Sequence, residues 1–74
     1  MKSRQRLALL DRVAVVSRAK AEALAVEAKA LQRDLRAIAD AVQGSQRSGI
    51  EAMIGHAHTL EQRYTEASTP EEEQ

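Results

Sequence analysis

The chain contains no cysteine, tryptophan or phenylalanine, and its one aromatic side chain is Tyr64. The lack of cysteine excludes a disulfide framework and a thiolate nucleophile; it suits a reducing compartment, and we expect a cytoplasmic protein. Without large aromatic side chains, a chain of 74 residues can fill only a small core. No apolar run in the sequence approaches the roughly 20 residues that span a bilayer.

Alanine is abundant, with 14 copies, and Glu, Lys, Leu and Arg accompany it. Alanine is the strongest helix former and a poor core filler, so this composition is typical of a long helix or a coiled coil. We therefore predict an all-α fold.

Charge is balanced overall but segregated along the chain. Residues 1–20 carry six basic and one acidic side chain, whereas residues 51–74 carry one basic and six acidic side chains. This polarity favours an antiparallel partner, with the basic end beside the acidic end. Asp11 and Arg12 interrupt the apolar stretch that a secretory signal peptide needs, while the Arg-bearing start leaves an organellar presequence open.

Apolar and small side chains recur at alternating steps of three and four residues through the first half of the chain, which is a heptad pattern. The pattern runs through Leu7, Leu10, Ala14, Ser17, Ala21, Leu24, Ala28, Leu31, Leu35, Ile38 and Val42, and Ser17 is its one polar member. A second series begins at Ile50. The step from Val42 to Ile50 is eight residues, one more than a heptad. One continuous helix would therefore not align the two series.

Three features of residues 43–52 indicate a turn in the chain. Gly44 is placed to end a helix in the left-handed conformation. Ser48 and Glu51 have the spacing of a capping box that starts a new helix. We predict an antiparallel helical hairpin with a long first helix, a bent rod being the alternative. Its parts are helix 4–43, turn 44–48, helix 49–67 and a flexible acidic tail over 68–74, so that residues 1–67 form one domain.

The expected hairpin core consists of Leu31, Leu35, Ile38, Val42, Ile50, Met53, Leu60 and Tyr64. The second helix is too short to cover the N-terminal half of the first, which would leave an apolar patch without a partner in the same chain. Such a patch is normally buried against another molecule. The predicted partner interface consists of Leu7, Leu9, Leu10, Val13, Val16 and Leu24.

No catalytic, cofactor-binding or metal-binding residues are predicted, so we expect a non-enzymatic protein. His56 and His58 are two residues apart and lie on different sides of a helix, so they cannot bind one metal ion from the same helix. We expect both histidines to be solvated on the helix surface, the alternative being a pH-sensitive contact of His58 with Glu61 or with neighbours on the Glu51 side.

We therefore predict a protein–protein interaction module that acts through its apolar seam, such as a coiled-coil adaptor or assembly factor. Its partner would be itself, as a homodimer or a larger bundle, or another helical protein. Two alternatives stay open. The basic residues near the N-terminus could bind nucleic acid, and the same segment could lie as an amphipathic helix on an anionic membrane surface.

The run "RLALLDRVAVVSRAKAEALAVEAKALQRDLRAI", residues 6–38, resembles the first helix of the flagellar and type III export stalk family. The shared features are a basic, leucine-bearing opening and the Ala/Glu/Arg-rich heptads that follow it. The resemblance implies a cytosolic bacterial two-helix coiled coil that contacts an export ATPase ring and shuttles chaperones without catalysis. This chain is much shorter than members of that family.

Overall fold

A computed structural model describes residues 2–15 and 17–69. Three helices make up most of these residues: α1 (Lys2–Arg12), α2 (Arg18–Ala41) and α3 (Ser45–Ala67). No strand occurs in the part of the chain that is described, which confirms the predicted all-α class. None of the three helices combines the length and the apolar character needed to cross a membrane.

The continuous first helix predicted over 4–43 is wrong, because the chain leaves the helix after Arg12 and re-enters it at Arg18. Ser17 is extended, with φ −162° and ψ 163°, and its hydroxyl accepts a hydrogen bond of 3.1 Å from the backbone N–H of Lys20. A serine in this position caps the start of a helix. The preceding sequence is rich in valine, a β-branched residue with reduced helix propensity. Ser17, the polar member of the heptad series, therefore caps the start of α2.

The connection between α2 and α3 is shorter than the predicted turn over 44–48. After α2 ends at Ala41, the chain turns at Gly44, whose φ of 68° suits glycine, although its ψ of −141° lies outside the left-handed helical region. The helix predicted over 49–67 begins at Ser45 instead, directly after Gly44.

The predicted capping box at Ser48 and Glu51 is also wrong. Gly44 is the N-cap of α3 and provides no side-chain bond, while Ser48 lies inside the helix and donates its backbone N–H to the Gly44 carbonyl over 3.2 Å. Glu51 instead pairs with Arg47 at 3.2 Å, one turn earlier on the same exposed surface. Because α3 begins before the predicted capping box, Ser48 lies inside the helix and its side chain has no free backbone N–H of a helix start to cap.

α2 and α3 pack along most of their lengths and form the main body of the core. The fully buried large side chains are Leu31, Leu35, Leu60 and Tyr64, and Ile50 is also buried. Ile38, Val42 and Met53 are partly buried at the edge of this cluster. Gln32 donates to Glu61 over 2.7 Å, while Ile38 and Val42, nearer the connection, line a cleft together with Ile50 and Met53.

α1 folds back onto α2 and α3, so the N-terminal segment does have a partner within the chain. Leu7 and Leu10 join the same core as Leu24, and all three are less than a tenth exposed. Leu9 is 58% exposed, and Val13 is partly buried. The side chain of Val16 lies outside the described residues. The fold-back limits the longest dimension to 46 Å, whereas a helix over 4–43 would measure about 60 Å.

After α3, Ser68 and Thr69 form a turn in which the Ser68 N–H donates to the Tyr64 carbonyl over 3.0 Å. The predicted flexible tail over 68–74 otherwise lies outside the described residues.

Candidate functional site

The surface with the clearest chemistry is the apolar face that α2 and α3 present to α1. Leu7 and Leu10 are three residues apart, so they lie on the same side of α1 and enter the core together. Ser3, one turn before Leu7, is also buried. The α2–α3 pair therefore accommodates one face of a short amphipathic helix.

An ion pair joins α1 to α2. Arg6 donates from Nη1 to Oδ2 of Asp34 over 2.8 Å, and both side chains are partly exposed. This hydrogen bond, together with the charge of Arg6, lowers the pKa of Asp34 below its ordinary value near 3.8. Arg33 adds a smaller effect in the same direction at 3.8 Å. The carboxylate is thus held ionised where α1 crosses α2.

A buried hydrogen bond joins α1 to α3. The hydroxyl of Tyr64, a side chain only 1% exposed, donates to the backbone carbonyl of Leu10. Leu10 lies in the last turn of α1, where carbonyl groups have no partner within the helix. Tyr64 therefore acts as a C-terminal cap for α1 as well as a core side chain.

Polar contacts continue on the surface near the end of α1. Oδ1 of Asp11 lies 3.5 Å from Nε2 of His56 and 3.9 Å from Nη1 of Arg63, both on α3. The expected contact of His58 with Glu61 is present, with 3.7 Å between Nδ1 and Oε1. Its pH sensitivity stays a prediction. Within the described part of the chain, no three His, Cys, Asp or Glu side chains are grouped so that they could hold a metal ion.

Two adjoining clefts leave part of the apolar surface open beside α1. One, of about 470 Å³, lies where α2 meets α3 and is bordered by Arg4, and the other, of about 330 Å³, lies between α1 and α3. Arg4, Gly49 and Met53 line both clefts. Both clefts are lined mainly by apolar surface, which suits side chains of a partner helix better than a small charged substrate.

The predicted partner interface and the predicted hairpin core thus meet in one cluster. Leu7, Leu10 and Leu24 from the first set contact the cluster that contains Leu31 and Leu35 from the second. The Arg6–Asp34 pair and the Tyr64–Leu10 bond are among the contacts that were not predicted from the sequence. The partners are separated by 28 and 54 residues, so both depend on the fold-back of α1.

No protein family model, curated protein or solved structure matches this chain.

Proposed function

We propose that this protein is a non-enzymatic protein–protein interaction module in which α2 and α3 form an antiparallel helical hairpin that binds an amphipathic helix along its apolar seam. The observation that carries the proposal is the docking of α1, a helix of 11 residues that is joined to α2 by the connection between Arg12 and Arg18. A helix of that length is marginal by itself in water. Its order therefore depends on the surface to which it docks, as in helix-in-groove recognition.

The partner that we propose first is a second copy of the chain, in a homodimer or a larger bundle, with another helical protein as the alternative. The basic α1 and the acidic C-terminal segment favour antiparallel association. Within this class, the resemblance of residues 6–38 to export stalk proteins suggests a cytoplasmic bacterial adaptor.

A second candidate function is nucleic-acid binding, which the exposure of the N-terminal basic side chains favours. Lys2, Arg4, Arg12, Arg18 and Lys20 are all exposed. Affinity for RNA or DNA through these residues would fall steeply as salt rises, because counterions are released on binding.

The feature that favours binding to a membrane surface is Leu9, which is exposed among these basic residues. This possibility predicts that anionic vesicles raise the helix content of the chain.

The helix-binding function can be tested with the full chain carrying Leu10→Asp. This change places a charge at a position that is 7% exposed, so α1 should undock while α2 and α3 stay paired. A labelled peptide of residues 2–12 should then bind the variant and restore the lost helicity, measured by fluorescence anisotropy and circular dichroism.

Two control peptides make the test specific. A peptide with Leu9→Asp should bind as well as the wild-type peptide, because Leu9 faces solvent in the docked helix. A peptide with Leu10→Asp should not bind. If the wild-type peptide fails to bind a variant that keeps its remaining helical signal, the α2–α3 pair is not a helix-binding surface.

A further inference from the structure

The two connections between helices differ in whether their backbone conformation prevents a helix from continuing through them. The turn between α2 and α3 contains Gly44 at φ 68°, a conformation that other residues adopt only with strain. The connection between α1 and α2 contains neither glycine nor proline, and no described non-glycine residue has a positive φ. A helix could therefore pass through this connection without strain.

The heptad pattern also passes through the first connection without a change of phase, with Ala14 and Ser17 in register between Leu10 and Ala21. If the connection became helical, the chain would lose the capping bond that the Lys20 N–H donates to the Ser17 hydroxyl and would gain the backbone hydrogen bonds of an uninterrupted helix. The apolar face of α1 would then continue directly into that of α2.

We infer that α1 is exchanged between two copies of this chain: residues 2–41 form one continuous helix, and α1 of each copy docks on the α2–α3 pair of the other. This inference rests on the proposed function, since it makes a second copy the source of the docked helix. In the closed form of the chain, α1 docks on its own α2 and α3. Exchange of an identical element is a low-cost route to a dimer, because each contact that α1 makes in the closed form is made again between copies.

The docked position of α1 defines the geometry of the exchanged dimer. Arg6 lies beside Asp34, so residues whose numbers add to about 40 face each other in two antiparallel long helices. The two-fold axis then passes near Lys20, and Arg18 of one copy lies level with Glu22 of the other. Each long helix, at about 40 residues, measures about 60 Å, and with the two α3 helices the pair makes a four-helix bundle.

The exchanged dimer repeats the specific contacts of α1. Arg6 pairs with Asp34 of the other copy, and Tyr64 caps the Leu10 carbonyl of the other copy. Val15, which is 41% exposed in the connection, then lies level with Ala25 of the other copy, near the two-fold axis where the two long helices cross. New burial at this crossing, absent in the closed chain, is what favours the dimer as concentration rises.

A distance measurement within one chain distinguishes the closed and exchanged forms. Gln5 and Ala37 are exposed, and the chain has no native cysteine, so Gln5→Cys and Ala37→Cys allow two spin labels at defined positions. Doubly labelled chains diluted into excess unlabelled protein report only the intrachain distance. In the closed form the labels lie on packed neighbouring helices, about 10–20 Å apart. In one continuous helix they are separated by about 48 Å.

We expect the long distance at concentrations where sedimentation shows a dimer and the short distance after dilution to monomer. A short distance in a proven dimer would overturn the exchange and leave self-association intact. A monomer at every concentration would overturn the exchange and self-association together.

Complementary charge variants test the exchange in trans. Arg6→Asp places two acidic groups at the α1–α2 contact of its own chain, and Asp34→Arg places two basic groups there. When the two variants are mixed, an exchanged heterodimer pairs opposite charges at both of its contacts, whereas closed chains and homodimers keep the repulsion. Native mass spectrometry should show the heterodimer enriched about tenfold or more over a statistical mixture.

The double variant carrying Arg6→Asp and Asp34→Arg is the matched control, because it restores the pair both within a chain and between copies. It should dimerise like the wild type. A statistical mixture of the two single variants, formed while each still dimerises, would contradict the exchange.

Discussion

The hydrogen bond from Tyr64 to the Leu10 carbonyl yields the sharpest prediction about how α1 is held. Tyr64, which is 1% exposed, keeps its buried ring in Tyr64→Phe and loses only the hydroxyl, so the Leu10 carbonyl is left without this partner. An unsatisfied buried acceptor costs about 1–3 kcal/mol. We expect the free energy of unfolding to fall by about 1–2 kcal/mol in urea titrations followed by far-UV circular dichroism.

The loss should be local to α1 at low denaturant, because the bond joins α1 to the rest of the fold. Amide hydrogen exchange in α1 should accelerate about 5- to 30-fold, which is the same free energy expressed as a ratio, while exchange in the centre of α3 changes less. Thr65→Ala, at the exposed neighbouring position, is the control and should shift stability by no more than about 0.5 kcal/mol. Wild-type stability of Tyr64→Phe, or equal acceleration in α1 and α3, would refute this role for the hydroxyl.

Three further predictions follow from burial, backbone conformation and charge. Leu60→Ala should destabilise the fold by about 2–5 kcal/mol in urea titrations because Leu60 is fully buried; Val26→Ala, at a side chain 65% exposed, is its control and should change little. Gly44→Ala should lower the thermal midpoint because φ 68° with ψ −141° strains a residue other than glycine by about 1–3 kcal/mol. Gly49→Ala should instead stabilise the fold by about 0.5–1 kcal/mol and raise the midpoint, because an added Cβ there meets open space. Equal shifts would contradict this distinction. The hydrogen bond from Arg6 lowers the pKa of Asp34 in the folded state, so the ionised carboxylate stabilises the fold above its unfolded pKa, and this stabilisation is lost as pH falls through the lowered folded pKa. In Asp34→Asn, the free energy of unfolding should lack this loss when it is measured as a function of acid pH. The same acid dependence in Asp34→Asn and the wild type would count against the role of the carboxylate.

Much of the fold is predictable from the sequence because hydrophobic spacing reports which face of a helix is buried. Leu31, Leu35, Leu60 and Tyr64 are fully buried, as their spacing predicts. Folding the chain near residue 46 also places Gln32 opposite Glu61, the pair joined at 2.7 Å. These features depend on periodicity and on the approximate position of the turn.

The break at Ser17 is not predictable from the same pattern. Heptad spacing identifies the buried face but does not tell whether that face is covered by the same chain or by another. A folded-back α1 buries Leu7 and Leu10 within the chain, whereas an unbroken helix would bury them only against a partner. The local signals for the break are a serine in a seam position and valines before it, and both are compatible with a continuous helix.

The polar contacts of the site depend on that unpredicted fold-back. Arg6 and Asp34 read as solvated charges on separate turns until α1 is placed beside α2. Tyr64 is predicted as a core side chain from its position in the second series, and it is buried. The acceptor of its hydroxyl, however, is a backbone carbonyl 54 residues away and carries no side-chain signal.

The proposed exchange of α1 would let one apolar segment serve both the core of a single chain and an interface between copies. Val15→Pro separates these roles, since proline is tolerated in the connection but cannot lie inside a continuous helix. We expect this variant to keep α1 docked in its own chain and to remain monomeric.

The measurement that tests the central claim most directly is sedimentation equilibrium of the full chain at several concentrations and at two salt levels. We predict a discrete dimer or larger bundle that forms as concentration rises and that persists at high salt, because apolar contacts at the helical seam hold it together. A mass that stays monomeric throughout the concentration series would contradict self-association through this seam, and an oligomer that dissociates on adding salt would contradict its apolar basis.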